Sequence, residues 1–116
     1  MNAVLDTIVV EDEPLYRELL CTGLMSQLPG IRVAAAFATA EQLLEMAPDL
    51  RADVLLTDID LGDGEDGYAL AMRLASARRV RGVVLLSNFA MPALLADAPT
   101  TGGVGWAYLL KTSVSD

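Results

Sequence analysis

Asp53-Val54-Leu55-Leu56-Thr57-Asp58-Ile59-Asp60-Leu61-Gly62-Asp63-Gly64-Glu65-Asp66-Gly67 is the stretch that decides the fold of this chain. Its opening run, Val54-Leu55-Leu56, is apolar without alternation, as in a strand buried on both faces. From Asp58 onward the chain becomes a loop with five acidic residues and three glycines. Asp66 then stands where a side chain caps a helix, with Leu70, Leu74 and Ala77 expected on the inner face. A buried strand with a carboxylate at its C-terminal end is the place where open α/β sheets keep their chemistry.

Four further apolar runs have strand character: Thr7 to Val10, Ile31 to Phe37, Val83 to Leu86 and Trp106 to Leu110. Helical patterns separate them. Pro14 suits a first helical turn, and Tyr16, Leu20, Leu24 and Leu28 follow at four-residue spacing until Pro29-Gly30 stops the helix. Thr39 with Gln42 makes a capping box for a second helix, which ends before Pro48. Pro92 to Ala98 allows at most two turns, and Pro99 to Gly105 reads as a loop. Alternating strands and helices predict a parallel sheet covered on both faces, in a single domain spanning residues 1–116.

Composition narrows the function. A hydrophobic fraction of 53% argues against disorder. No apolar run approaches the ~20 residues that span a bilayer. The first residues lack the basic and apolar regions of a signal peptide, so a cytoplasmic location away from the membrane is expected. A net charge of −8 repels duplex nucleic acid. The absence of histidine removes most hydrolase triads and most zinc sites. Cys21, the one cysteine, lies in a helical pattern and is expected to be a core thiol.

The strand ends gather the chemistry. The first strand runs into Glu11-Asp12-Glu13-Pro14, the third into Asp58, the fourth into Ser87 and the fifth into Lys111. With a strand order of 2-1-3-4-5, strands one and three flank the switch point, and Glu11, Asp12 and Asp58 converge there. Like charges ~4 Å apart repel by roughly 4 kcal/mol at an effective dielectric of 20, so such a cluster calls for a proton or a cation. Hard oxygen donors favour Mg²⁺. Lys111 emerges two strands from Asp58, ~10 Å away at ~4.8 Å per strand, a gap its stem can close. A carboxylate nucleophile, a metal, an ammonium and a hydroxyl together make a phosphoryl-transfer kit.

These stretches resemble the receiver domain of response regulators in two-component signalling. Val9-Val10-Glu11-Asp12-Glu13-Pro14 is similar to that family's acidic pair after strand one, and Val54-Leu55-Leu56-Thr57-Asp58 to its phospho-acceptor strand. Val84-Leu85-Leu86-Ser87 resembles its Ser/Thr strand, and Tyr108-Leu109-Leu110-Lys111 its aromatic-x-x-Lys ending. The resemblance implies a flavodoxin-like doubly wound sheet. It also implies a phosphoryl group passed from a histidine kinase to Asp58, and Mg²⁺ held by Asp12, Glu11, Asp58 and the backbone carbonyl of Asp60. Ser87 and Lys111 would bind phosphoryl oxygens, and Tyr108 would turn inward on activation. Transcription control would be the output, with DNA met only through a domain absent from this chain. Gly62 stands where the family often has proline, in a loop that looks one residue longer, and Asn88 where it usually keeps a small residue.

Other readings compete. Asp58-Ile59-Asp60 also resembles the nucleophile motif of haloacid-dehalogenase-like phosphatases, which carry it on the first strand of a longer chain. An EF-hand would need Gly62 and Asp63 exchanged. A receiver-like binding module that takes no phosphate would lack the acceptor or the lysine, and both are present. The chain stops five residues after Lys111, before the fifth helix usual in receivers. One face of strand five is therefore expected to be bare, and the chain to self-associate through that side or to borrow cover.

Overall fold

The structure, a computed structural model, describes residues 4–61, 66–88 and 104–111, the side chains of 24–26 excepted. The chain runs β1 (Leu5–Val10), α1 (Pro14–Gln27), β2 (Ile31–Phe37), α2 (Ala40–Met46), β3 (Val54–Asp58), α3 (Gly67–Ser76), β4 (Gly82–Ser87) and β5 (Gly105–Leu110). The strands form one sheet in the order β2-β1-β3-β4-β5. Every pairing is parallel, with Val10 beside Thr57, Asp58 beside Leu86 and Ser87 beside Leu110. The order 2-1-3-4-5 expected from the sequence is the order observed. The stretch Pro92 to Ala98, the loop residues before Val104 and everything from residue 112 lie outside the described residues, and so does the expected absence of a fifth helix.

β3 is central because its side chains have cover on both faces. Leu55, with Ile8, Val10, Leu43, Leu70, Leu74, Val83 and Leu85, packs beneath α2 and α3. Leu56, with Val9, Leu20 and Leu86, packs against α1 on the other face. Removing a fully enclosed leucine here, as in Leu55→Ala, costs about 2–5 kcal/mol.

The caps hold as the sequence implies. The Thr39 hydroxyl accepts from the Gln42 amide at 3.0 Å, and Gln42 reaches back to the Ala38 amide at 2.8 Å. The Asp66 carboxylate accepts from the Ala69 amide at 2.7 Å. One inner-face assignment is corrected. Ala77 is the exposed C-cap of α3, and Ala71 fills the place beside Leu70 and Leu74. The helix ends at Ser76, one residue short of Ala77, because Arg78 adopts a left-handed φ of 57°. Its amide then bonds to the Ala75 carbonyl and that of Arg79 to Leu74, the paired bonds of a Schellman ending. Such a backbone costs a residue with a side chain about 1 kcal/mol relative to glycine. Cys21 is half-buried, and burial raises its thiol pKa, as suits an unreactive packing residue.

β5 alternates. Trp106 and Tyr108 pack toward the α2–α3 face, where Trp106 meets Tyr68 with ring centroids 5.9 Å apart. Leu109 turns the other way, 43% exposed, into an apolar groove of about 210 Å³ bordered by Thr7, Leu20, Leu56, Val84 and Leu86.

Candidate functional site

Parallel pairing brings the C-terminal ends of β1, β3, β4 and β5 to one pole, and each delivers a polar residue that is buried there. Glu11 follows β1, anchored by its amide on the Phe37 carbonyl at 3.0 Å. Asp58 and Ser87 end β3 and β4, and Lys111 follows β5. Among the described residues the buried polar side chains are these four, with Thr57 beside them and Thr7 at the other end. The sequence places them at strand ends, and the sheet brings them together.

Lys111 closes the site. Its Nζ donates to Asp58 Oδ2 at 3.0 Å and to Glu11 Oε1 at 2.9 Å, so one ammonium bridges two carboxylates. The Tyr16 ring lies below it, 4.7 Å from Nζ to the centroid, and the Tyr16 hydroxyl donates to the Lys111 carbonyl at 3.2 Å. Arg17 steadies the first acidic residue by donating Nη1 to the Glu11 carbonyl at 2.7 Å. Tyr16 and Arg17 were not singled out for this role by sequence. Both follow the acidic cluster on the first turn of α1, and that placement is the signal that could have found them.

Glu11 is wholly buried, and burial pushes its carboxyl up to about 7. The Lys111 hydrogen bond opposes that rise, and the Asp58 charge adds to it. Burial alone would lower the Lys111 ammonium. Its hydrogen bonds to Glu11 and Asp58 outweigh this and hold it above its ordinary value.

Glu11, Asp12 and Asp58 each present a carboxylate oxygen within 4.8 Å of the others. Glu11 and Asp58 are buried and Asp12 is exposed, so the cluster has an open side. Glu11 Oε2 is buried with no hydrogen-bond partner. An orphaned buried carboxylate oxygen facing further carboxylates suits a hard divalent cation. Asp60 is exposed, and its amide donates to Asp58 Oδ1 at 3.3 Å, which keeps the Asp60 backbone beside the acidic cluster. Ser87 is buried one strand from Asp58, and Tyr108 is half-buried on β5.

Gly67 is a further requirement that the sequence did not disclose. A Cβ there would lie 1.8 Å from the Asp58 carbonyl oxygen and 2.9 Å from the Thr57 hydroxyl. Its amide donates to the Ile59 carbonyl at 2.8 Å, so the start of α3 is pressed against the end of β3. Only glycine allows that approach.

A five-stranded doubly wound sheet with an acidic cluster and a lysine at its C-terminal pole is the architecture of a signalling receiver. The profile of the response regulator receiver domain matches residues 7–114. The chain belongs to that family. It is 34% identical over 98 residues to the positive alginate biosynthesis regulatory protein of Pseudomonas aeruginosa, across 81% of this chain and 39% of that one. It is 39% identical over 90 residues to the sensory transduction protein LytT of Enterococcus faecalis, across 77% and 36%. The chain thus spans about two-fifths or less of the length of these curated relatives. Among solved structures, the non-phosphorylated receiver domain of RcsB from Escherichia coli matches with a TM-score of 0.75 at 23% identity, over 96% of this chain and 84% of that one. The receiver domain of a modulated diguanylate cyclase from Desulfovibrio desulfuricans matches with a TM-score of 0.69 at 28% identity, over 90% and 81%.

Proposed function

We propose that residues 1–116 form one receiver domain in which Asp58 accepts a phosphoryl group from a histidine kinase. The observation that carries this reading is the contact of Lys111 Nζ with Asp58 Oδ2, 3.0 Å apart in a buried pocket walled by Glu11 and opened by Asp12. An Asp58 carboxylate oxygen attacks the phosphorus as the bond from phosphorus to the donor's histidine nitrogen breaks. Charge then accumulates on three phosphoryl oxygens, and stabilising it is most of the catalysis such a transfer needs. Glu11, Asp12, Asp58 and the Asp60 carbonyl would hold Mg²⁺, which supplies positive charge against the acidic pocket and the incoming group. Lys111, an ammonium with three donors, pairs with a phosphoryl oxygen in place of its contact to Asp58 Oδ2. The Ser87 hydroxyl donates to another oxygen, and drawing β4 and β5 together favours an inward Tyr108.

Membership of the family supports the next part of the reading. The domain is a signalling receiver that assists its own phosphorylation and dephosphorylation, works in the cytoplasm, and controls an output that is most simply transcription. DNA is met through another domain, since the acidic chain repels it. No helix among the described residues is long and apolar enough to cross a membrane. A second copy meets the domain on the strand-five side, where the groove around Leu109 is apolar and open.

Beryllofluoride, a stand-in for the phosphoryl group, tests the switch. With Mg²⁺ present, amide NMR signals around Ser87, Tyr108 and Lys111 should move together. Ligand binding without movement at Ser87 and Tyr108 would leave Asp58 an acceptor with no such switch. No binding at all would remove the acceptor role.

A further inference from the structure

The opposite pole of the sheet, where the strands begin, carries the reverse charge. Four of the chain's eight basic side chains, Arg51, Arg78, Arg79 and Arg81, line one open cleft of about 280 Å³, with Asp6 and Asp53 in its wall. Arg51 enters from the segment before β3, and the other three come from the turn between α3 and β4.

The two carboxylates do not neutralise the four guanidinium groups. Asp6 Oδ1 accepts from Arg32 Nε at 2.8 Å, and Asp53 Oδ2 from the Asp6 amide at 2.8 Å. Asp53 Oδ1 lies 4.0 Å from Arg81 Nη1, at the outer limit of an ion pair, and the Arg81 side chain is 86% exposed. Arg79 donates to the carbonyls of Leu50 and Ala47, at 2.7 and 2.9 Å, and Arg51 to that of Arg78 at 3.3 Å. Those bonds fix the loops, and carbonyls carry no net charge to offset the guanidinium groups. Among the described residues, Arg51, Arg78 and Arg79 have no carboxylate in ion-pair range, and four arginines against two aspartates leave the lining with a formal excess of two positive charges.

Arg78 adds an independent sign. It occupies the left-handed position at the end of α3, where glycine is at ease. The hydrogen bonds that close the helix there are main-chain bonds and need no side chain. The arginine thus strains the turn without helping to close it, and a strained residue of this kind points to a role outside the fold.

We propose that this cleft binds a small phosphate-bearing anion, either a free polyphosphate or the phosphates of a nucleotide. Guanidinium groups pair with phosphate through two parallel hydrogen bonds, and several of them on one rim suit a compact group of high charge. The cleft is below the size usual for drug-sized ligands, which favours a phosphate group over an extended acidic peptide. Arg79, held by two carbonyls, keeps the turn in place, while Arg51, Arg78 and Arg81 meet the ligand. The site is independent of chemistry at Asp58.

The test is a titration of the ¹⁵N-labelled chain with sodium pyrophosphate, followed by backbone amide and arginine Nε–Hε NMR signals. EDTA replaces Mg²⁺, and sodium chloride at matched ionic strength is the control. Saturating shifts confined to residues 51–53 and 78–81 are expected. Arg78→Gly and Arg81→Ser should each weaken binding about tenfold, the loss of one charge-assisted contact. Arg78→Gly should melt no lower than the parent, because glycine relieves the turn. Adenosine diphosphate in a parallel arm separates the two sources, since tighter binding than pyrophosphate would mark a nucleotide. Non-saturating shifts equal to those in chloride overturn the proposal. So do shifts centred on Asp58 and Lys111, binding unchanged in Arg78→Gly, or saturation by a hexaglutamate peptide where pyrophosphate fails.

Discussion

Lys111 and Asp58 stand two strands apart in the sheet, yet their charged atoms are 3.0 Å from one another, and the same ammonium reaches Glu11 at 2.9 Å. Breaking a buried pair by removing one partner costs about 3–5 kcal/mol, because it strands an uncompensated charge. Lys111→Met should therefore destabilise the domain by about 3 kcal/mol at pH 8, measured by urea unfolding. The loss should shrink toward pH 5, where Glu11 is neutral, and Mg²⁺ should recover part of it. Equal stability of variant and parent at pH 8 would mean that the contact contributes nothing.

Glu11 gives the pH dependence a sign. Its carboxyl titrates near 7 in the folded chain against 4.5 ordinarily, so the folded state holds a proton that the unfolded state has lost. The stability contributed by this group is fully present below pH 4.5 and is lost as pH rises through about 7. In EDTA, the urea midpoint should fall between pH 5 and pH 8 by the equivalent of about 2–3 kcal/mol. Glu11→Gln should flatten that slope and be the more stable protein at pH 8. A midpoint that rises over the same interval in the parent would contradict the assignment.

At Gly67, the smallest possible side chain already collides with backbone. Gly67→Ala must push α3 away from the end of β3, which should cost about 3 kcal/mol, the upper range for overpacking. Beryllofluoride binding should weaken with it, since the displaced atoms belong to Asp58 itself. A variant as stable as the parent would show that the helix start yields easily.

The strands and the polar residues at their ends were legible because both signals are local. A doubly covered strand such as β3 is a continuous apolar run, and the edge strand β2, Ile31–Phe37, has the bounds its apolar and small residues predict. The caps of α2 and α3 were legible for the same reason, since Thr39, Gln42 and Asp66 act on their own turns. Tyr16 beneath Lys111 was not, because the two lie at opposite ends of the chain, and Gly67 against Asp58 was not, because how tightly a loop folds back leaves no period in the sequence. Ala77 was misplaced for another reason. The helical period runs on past Ser76 into Arg78, and nothing in an arginine announces the left-handed turn that ends α3 there.

Leu109 offers a test of association through the strand-five side. It is 43% exposed at the rim of the apolar groove, where a second copy would bury it. Light scattering over a concentration series should show self-association in the parent, weakened at least tenfold in Leu109→Glu. A charge would there enter the contact, and an unchanged urea midpoint in the variant would separate lost association from lost packing in the groove. A parent that stays monomeric throughout would rule out this contact.

The central claim is that Asp58 is the phosphoryl acceptor and that the acidic cluster makes it so. The most direct measurement is intact-mass analysis after incubation with a small acyl phosphate, with and without Mg²⁺, on the parent and on Asp58→Asn. A gain of one phosphoryl group is expected in the parent with Mg²⁺, together with its absence in EDTA and in Asp58→Asn. A gain that survives Asp58→Asn, or no gain under conditions that label another receiver domain, would contradict the account.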